Sequence, residues 1–508
     1  MTGTTTQAVS THASNSGTLR GRLPFPKLAD EELKNQTQRR NLHKATSTIR
    51  AKRQQRVEET PDWEDLRNAA SAIKLDVGQR LAELLVQFAD KVEDNGGHVH
   101  WARDGEEANR IVIQLVKDSG ATEVTKVKSM LTQEIGLNDA LANAGIVPHE
   151  TDLAELIVQL GHDTGSHIVV PAIHRGRQEV RDIFLSEMDD VDPTLSDEPA
   201  ELAEASRRFL RTKFLTSTCA ISGANFGVAE TGTVCIVESE GNGRMNLTLP
   251  DTLITVMGIE KLVPTFQDLE VFLQLLPRSA TGERMNPYTS LWSGVTSNDG
   301  PQNFHLVLVD NGRTATLSNP VGREALKCIR CASCLNVCPV YERVGGHAYG
   351  STYPGPIGSV LTPQLTGIES DHDPNGYLPF ASTLCGACNA VCPVMIPLTD
   401  LLLEMRYQKV SAHPAPIEKT VMGLAELVWA KPTLWNTVTR LVFLGRILGR
   451  VPFTGDGTHI TKLPGVLGAW TKTRDVPLPP KQSFRQWWAS ESTQQLIAQI
   501  RPPHTEEN

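Results

Sequence analysis

The chain holds four cysteines at the spacing Cys328-x2-Cys331-x2-Cys334-x3-Cys338, with Pro339 directly behind the last. No other feature narrows its architecture as far. A near-copy, Cys385-x2-Cys388-x3-Cys392-Pro393, follows about fifty residues later. Three thiolates three residues apart on a tight loop can reach three corners of one cubane, while the fourth, at the start of a helix, turns to a neighbouring cluster. The proline suits a first helical turn, where its missing N–H is not needed. Structural zinc is the competing reading of a lone Cys-x2-Cys pair. Zinc sites pair two such knuckles, and an x2-x2-x3-Pro run fits ferredoxin-type iron–sulfur clusters better. Seven of the nine cysteines fall in these two groups, and in a reducing compartment such clustering points to metal ligation rather than disulfides.

Aligning the second group on the first puts Ser382 where a leading cysteine would stand. Crossed ligation then completes one cluster with Cys328, Cys331, Cys334 and Cys392. The other receives Cys338, Cys385 and Cys388 and is one ligand short. Two [4Fe-4S] clusters are expected, the second with an unusual or missing protein ligand. Its completion has four readings: a [3Fe-4S] cluster, an alkoxide from Ser382, a group from Cys219, Cys235 or a partner, or an iron open to a small ligand. Cluster potentials span roughly −700 to +450 mV, so the spacing leaves the potential undetermined.

At 508 residues the chain exceeds one ordinary core, and 40% hydrophobic with 21% charged residues reads as globular. Residues 1–60 form a polar, basic extension, with eight Lys/Arg and no Asp/Glu between Lys34 and Arg56. That run is a solvated basic helix or arm, or else a docking surface for an acidic partner or anionic lipid. Residues 61–319 alternate short apolar runs with helical periods: His98–Trp101, Val124–Val127, Gly145–His149 and His167–Val170 against Leu75–Val92, Glu106–Asp118 and Leu153–Leu160. This predicts an α/β domain with a largely parallel sheet. The cysteine module, a helical ferredoxin-type unit, occupies 320–410, and a helical segment with an extended tail occupies 411–508. The last segment carries five of the eight tryptophans and leaves contact with a membrane surface open. No apolar stretch reaches the roughly 20 residues of a transmembrane helix, and Met1–Gly17 lacks the apolar core of a secretory signal, so the cytoplasm is expected. A net charge of −9 argues against nucleic acid as a partner.

The run Cys328-Ile329-Arg330-Cys331-Ala332-Ser333-Cys334-Leu335-Asn336-Val337-Cys338-Pro339-Val340-Tyr341 resembles the LutB family, the iron–sulfur subunits of bacterial lactate-utilization systems. So do Gly345-Gly346-His347, Gly355-Pro356-Ile357-Gly358 and Leu384-Cys385-Gly386-Ala387-Cys388. Upstream, Lys128-Ser129-Met130, Glu134–Asn138, Glu150–Leu153 and Ser222–Thr233 are similar to the lactate-utilization (LUD) domain, which is related to CoA-transferase and sugar-isomerase folds. The tail around Arg474–Pro477 and Ser483–Trp488 resembles the family's C-terminal segment. The resemblance implies an electron-carrying subunit in the oxidation of L-lactate to pyruvate, with a cysteine-rich protein and a second LUD protein as partners. Two other readings stand beside it: service to another 2-hydroxy-acid dehydrogenase of glycolate type, or structural clusters beside a catalytic α/β domain. For the last, Glu134, Asn138, Glu150, Thr151, Asp152, Asn225 and Glu230 sit near predicted strand ends or turns, Glu230 being the nearest analogue of a CoA-transferase nucleophile. The plainer reading of these residues is turn and capping chemistry. His347 and His372 read as packing or surface histidines.

Overall fold

The computed structural model describes residues 19–500 apart from 20, 369, 371, 413–415, 443–444, 451–453 and 473. The reading of Met1–Gly17 lies outside the described residues, as does part of the apolar stretch 441–448. The chain divides into two compact units, Met1–Lys409 and Val410–Asn508.

Among its described residues the first unit has ten strands: β1 (His98–Ala102), β2 (Glu123–Lys126), β3 (Val147–Glu150), β4 (Cys219–Ser222), β5 (Phe226–Val228), β6 (Thr233–Glu238), β7 (Thr252–Gly258), β8 (Leu262–Val263), β9 (Tyr288–Trp292) and β10 (Asn303–Val309). Six form one sheet in the order β1-β10-β7-β4-β2-β3, every neighbouring pair parallel. Both faces are covered, because side chains alternate along each strand. On β10, Phe304, Leu306 and Leu308 join Leu84, Phe88 and Val92 of helix Leu81–Asp94. Val307 and Val309 point the other way, to Ala108, Val112 and Val116 of helix Gly105–Asp118. The glycine-rich run after β4 belongs to a second, mixed sheet in the order β8-β5-β6-β9.

Two local expectations change. The run read as one helix is broken at Arg80, into Trp63–Gln79 and Leu81–Asp94. His167–Val170, read as an apolar strand, is irregular. There the His167 ring replaces a ladder: Nδ1 accepts the N–H groups of Val169 and Val170 at 3.1 and 3.0 Å. Nε2 donates to Asn336 Oδ1 at 3.1 Å. Burial pushes this imidazole down to about 3, so it stays neutral in that tautomer.

The basic run forms helix Gln36–Glu58, capped by Asn35, whose side chain accepts the Gln38 N–H at 3.0 Å. Gln38, Leu42, Thr46 and Arg53 are buried, a stripe at helical spacing. It lies on the cysteine module: Gln38 donates to Val344 O, and Arg50 reaches Glu342 at 2.5 Å and Asn336 O at 2.9 Å. The stripe escapes a hydrophobicity pattern because only Leu42 is apolar. The module and the second sheet share one buried cluster, running from Phe226 and Phe272 to Leu335, Tyr341 and Leu402.

The second unit holds helices Pro416–Ala430, Pro432–Val442, Gly445–Arg450, Phe484–Trp488 and Glu491–Ile500, and a ribbon pairing His459–Ile460 with Val476–Pro477. Among its described residues, Ile460 and Thr493 alone are buried, while Trp429, Trp470, Trp487 and Trp488 are exposed. Among the described residues no helix is long and apolar enough to cross a membrane.

Candidate metal centre

The two cysteine loops repeat one backbone. Arg330 and Ala332 flank Cys331 with φ of 61° each; Leu384 and Gly386 flank Cys385 with φ of 56° and 82°. A non-glycine residue in this left-handed region costs roughly 1–2 kcal/mol, so the curl is maintained by the surrounding packing. The curl turns successive backbone N–H groups inward, a geometry that favours negative charge. The Arg330 N–H donates to Cys328 Sγ at 3.4 Å, and the Leu384 N–H donates to Ser382 Oγ at 3.1 Å. Ser382 therefore stands, in backbone and in hydrogen bond, where Cys328 stands in the first loop. Short helices follow in each copy, Ser333–Asn336 and Ala387–Val391. Cys338 caps helix Pro339–Val344 by accepting the Tyr341 N–H at 3.5 Å, and Cys392 Sγ accepts the Ile396 N–H at 3.3 Å.

In space the thiols regroup. Cys331 has Cys328 and Cys392 as electrostatic neighbours, and Cys334 has these three and Cys388 besides. Cys388 instead faces Cys338 and Cys385. Burial pushes Cys331 up to about 12, and Cys388 and Cys392 up to about 11. Cys385 is exposed, and the Ala387 N–H holds its thiol below the usual range. Crowded, buried thiols resist ionising until a metal supplies compensating positive charge. Cys219 and Cys235 are elsewhere, on β4 and β6, raised by burial to about 11 and about 12 with no module cysteine beside them.

Unpaired donors show that these residues fit an iron–sulfur group. The guanidinium Nε of Arg53, and Nε and Nη1 of Arg330, are buried without an acceptor. Arg53 lies beside Cys331 and Cys392, and Arg330 beside Cys328. Leaving such donors unpaired costs about 1–3 kcal/mol each, and cluster sulfur is a suitable acceptor. Arg67 closes the same side through Nε to Cys392 O at 3.0 Å.

A buried ion network ties this centre to the sheet. Arg313, just past β10, reaches Glu134 at 2.8 and 2.9 Å and Glu260, just past β7, at 2.6 Å. Glu260 continues to Arg330 at 3.4 Å, while the Tyr353 hydroxyl donates to Glu134 at 2.5 Å. Burial alone would raise Glu260, yet Arg313, Lys261 and Arg330 hold it down to about 2. Gly258 is required by close approach: a Cβ there would lie 2.2 Å from Glu260 Oε2 and 2.8 Å from Arg313 Nε.

The other polar residues singled out in the α/β domain are engaged locally. Glu150 pairs with Lys126 at 2.8 Å and accepts from Asn138 at 2.7 Å. Thr151 donates to Lys126 O, Asp152 caps helix Leu153–Leu160, Asn225 accepts the Val237 N–H, and Glu230 accepts the Phe266 N–H. His347 donates to Thr164 O at 2.8 Å and lies 3.9 Å from Asp163; His372 is exposed. Ligand atoms of Asp163, His174 and His347 lie within 4.8 Å of one another, but Asp163 already accepts from His174, Arg175 and the Thr164 N–H. That arrangement straps the segment at Asp163 to the module.

Two carboxyls in this domain titrate near neutrality. Burial, reinforced by neighbouring acids, raises Glu155 and Glu240 to about 7. An acid whose folded value exceeds its unfolded one stabilises the fold at low pH and loses that contribution as pH rises through the folded value. Thermal stability is expected to fall between about pH 5 and 7. Glu155→Gln should flatten that slope in melts across the range; an unchanged slope would assign it to other groups.

Residues 85–309 match the LUD domain family, 324–396 the 4Fe-4S dicluster domain and 404–493 the C-terminal domain of lactate utilisation protein B. The class is thus an α/β LUD domain joined to an iron–sulfur module. "Lactate utilization protein B" of Oceanobacillus iheyensis is 42% identical over 474 residues, covering 92% of this chain and 96% of that protein. The Bacillus subtilis protein of the same name is 41% identical over 478 residues, with 92% and 96% covered. This chain belongs to the lactate utilization protein B family. A crystal structure of a DUF162 family protein from Deinococcus radiodurans aligns with 45% of this chain and 98% of that one at 15% identity and a TM-score of 0.26, too low to bear on the fold.

Proposed function

We propose that this protein carries electrons in the oxidation of L-lactate to pyruvate, through one cluster on Cys328, Cys331, Cys334 and Cys392 and another on Cys338, Cys385 and Cys388. The observation that carries this reading is the exchange of one cysteine between the two runs in space. It supports two thiol sets on the paired loops. When bound, each cluster accepts and releases one electron at a time, and lactate oxidation delivers two electrons and two protons. The chain contributes the thiol sets, the inward N–H groups and burial that excludes water from the first set. Exposed Cys385 makes the second set the point of contact for an outside donor or acceptor. The family names support the substrate, and the local engagement of the α/β domain's polar residues supports a carrier that leaves lactate to a partner. Partners of the kind the family resemblance implies, a cysteine-rich protein and a second LUD protein, would cover apolar surface such as Trp429 and Trp470.

Anaerobic purification with iron counting and an EPR-monitored redox titration tests this reading. Two reducible clusters, and failure of a deletion strain to grow on L-lactate as sole carbon source, are expected. Clusters that never change oxidation state would end it. We propose four irons in the second cluster, with the fourth corner facing Ser382. Ser382→Cys should then slow iron loss in air; an unchanged rate would place that corner away from position 382.

A further inference from the structure

We propose that Arg53 and Arg330 donate their unpaired guanidinium N–H groups to the sulfurs of the cluster on Cys328, Cys331, Cys334 and Cys392, and thereby raise its reduction potential. The proposal rests on the crossed ligation above and concerns residues from outside the thiol set. Arg53 comes from the basic N-terminal helix, whose Arg50 already pairs with Glu342 of the cysteine module. Its Nη2 donates to Val391 O at 3.0 Å, and its guanidinium sits 5.6 Å from the Trp63 ring centroid. These contacts fix the group with Nε buried and unpaired beside Cys331 and Cys392. Arg330 is held 4.6 Å over the Tyr353 ring, with Nη2 on Glu260, leaving Nε and Nη1 unpaired beside Cys328.

Reduction adds one negative charge to a cluster, so a buried positive charge at hydrogen-bond distance favours the reduced form. The chain Glu134–Arg313–Glu260–Arg330 alternates in sign and presents its positive end to Cys328. At the second loop Arg406 donates to Pro379 O and Ser382 O at 2.8 and 2.9 Å, and among the described residues no arginine there has a buried N–H left unpaired. Around Cys338, Cys385 and Cys388 the influences are backbone N–H groups, Thr383, Tyr349 and the other cysteines. The two clusters therefore differ in the unpaired donors that face them, which come from Arg53 and Arg330 on the first set.

The test is an anaerobic EPR redox titration of the full chain with both clusters loaded. Arg53→Met and Arg330→Met should each shift the first cluster's reduction equilibrium about tenfold toward the oxidised form, about 59 mV for one electron. The second cluster's midpoint should stay in place, which also reports that the chain is folded. Glu260→Gln should shift the first cluster the opposite way, because it removes the charge that offsets Arg330. A second measurement uses the wild type, grown with arginine 15N-labelled in the guanidinium: the reduced first cluster should show a 15N hyperfine coupling. Unmoved midpoints in both methionine variants, or no coupling in the wild type, would overturn the proposal. Should the variants lose the first cluster, the labelled wild type decides. A failure of the ligation reading would show separately, as a missing first-cluster signal in the unsubstituted protein.

Discussion

Arg313→Ala is expected to destabilise the first unit by about 3–5 kcal/mol, read as a lower urea midpoint. Arg313 is 1% exposed and bridges Glu134 and Glu260, at 0% and 5%. Its loss leaves both carboxylates buried with fewer partners, and uncompensated charge is costlier to bury than a missing contact is to forgo. Arg330 keeps Glu260 as its partner, so the loss should fall mainly on Glu134 and the sheet end. The acid limb should move with it. Glu260 is held at about 2, so its contribution is present above its unfolded value and lost as pH falls toward 2. In Arg313→Ala that carboxyl is no longer held as low, and acid unfolding should begin at a higher pH. A loss under about 1 kcal/mol would show that the network contributes little.

Cys392→Ala should cost about four irons and the EPR signal of the first cluster, although Cys392 belongs to the second cysteine run. Cys338→Ala should instead remove the second cluster, although Cys338 belongs to the first run. This reciprocal outcome separates crossed ligation from one cluster per run, for which the assignments would be swapped. The first cluster should be the harder loss. Three of its thiols are buried and Cys328 packs against the same cluster, whereas Cys385 of the second set is exposed, and a metal bound by folded ligands contributes its binding free energy to folding. Growth on L-lactate should fail in Cys392→Ala under the proposed function.

The parallel sheet was legible because strands buried on both faces read as short apolar runs between helical periods. Helix Leu153–Leu160 falls on its expected bounds. His167–Val170 was not legible, because an apolar run does not reveal that a histidine side chain will satisfy its backbone. Helix Gln36–Glu58 was legible as basic but not as packed, since its inward stripe is mostly polar and its partners lie some three hundred residues away in sequence. The second sheet was hidden for a related reason. Its strands are two to six residues long, and their pairing is set by distant turns.

The cysteine spacing by itself predicted two thiol sets and placed Ser382 at the eighth position, where the backbone and its hydrogen bond repeat those of Cys328, because loop geometry within a few residues is dictated by local backbone and spacing. That Arg53, Arg67, Arg313 and Glu260 surround or brace them was decided only by the tertiary structure. Those contacts join residues from the N-terminal helices, the ends of β7 and β10, and the cysteine loops. No local pattern marks an arginine whose acceptor is supplied by a group bound to another part of the chain. Burial and unpaired donors, which exist only once the chain is folded, mark it.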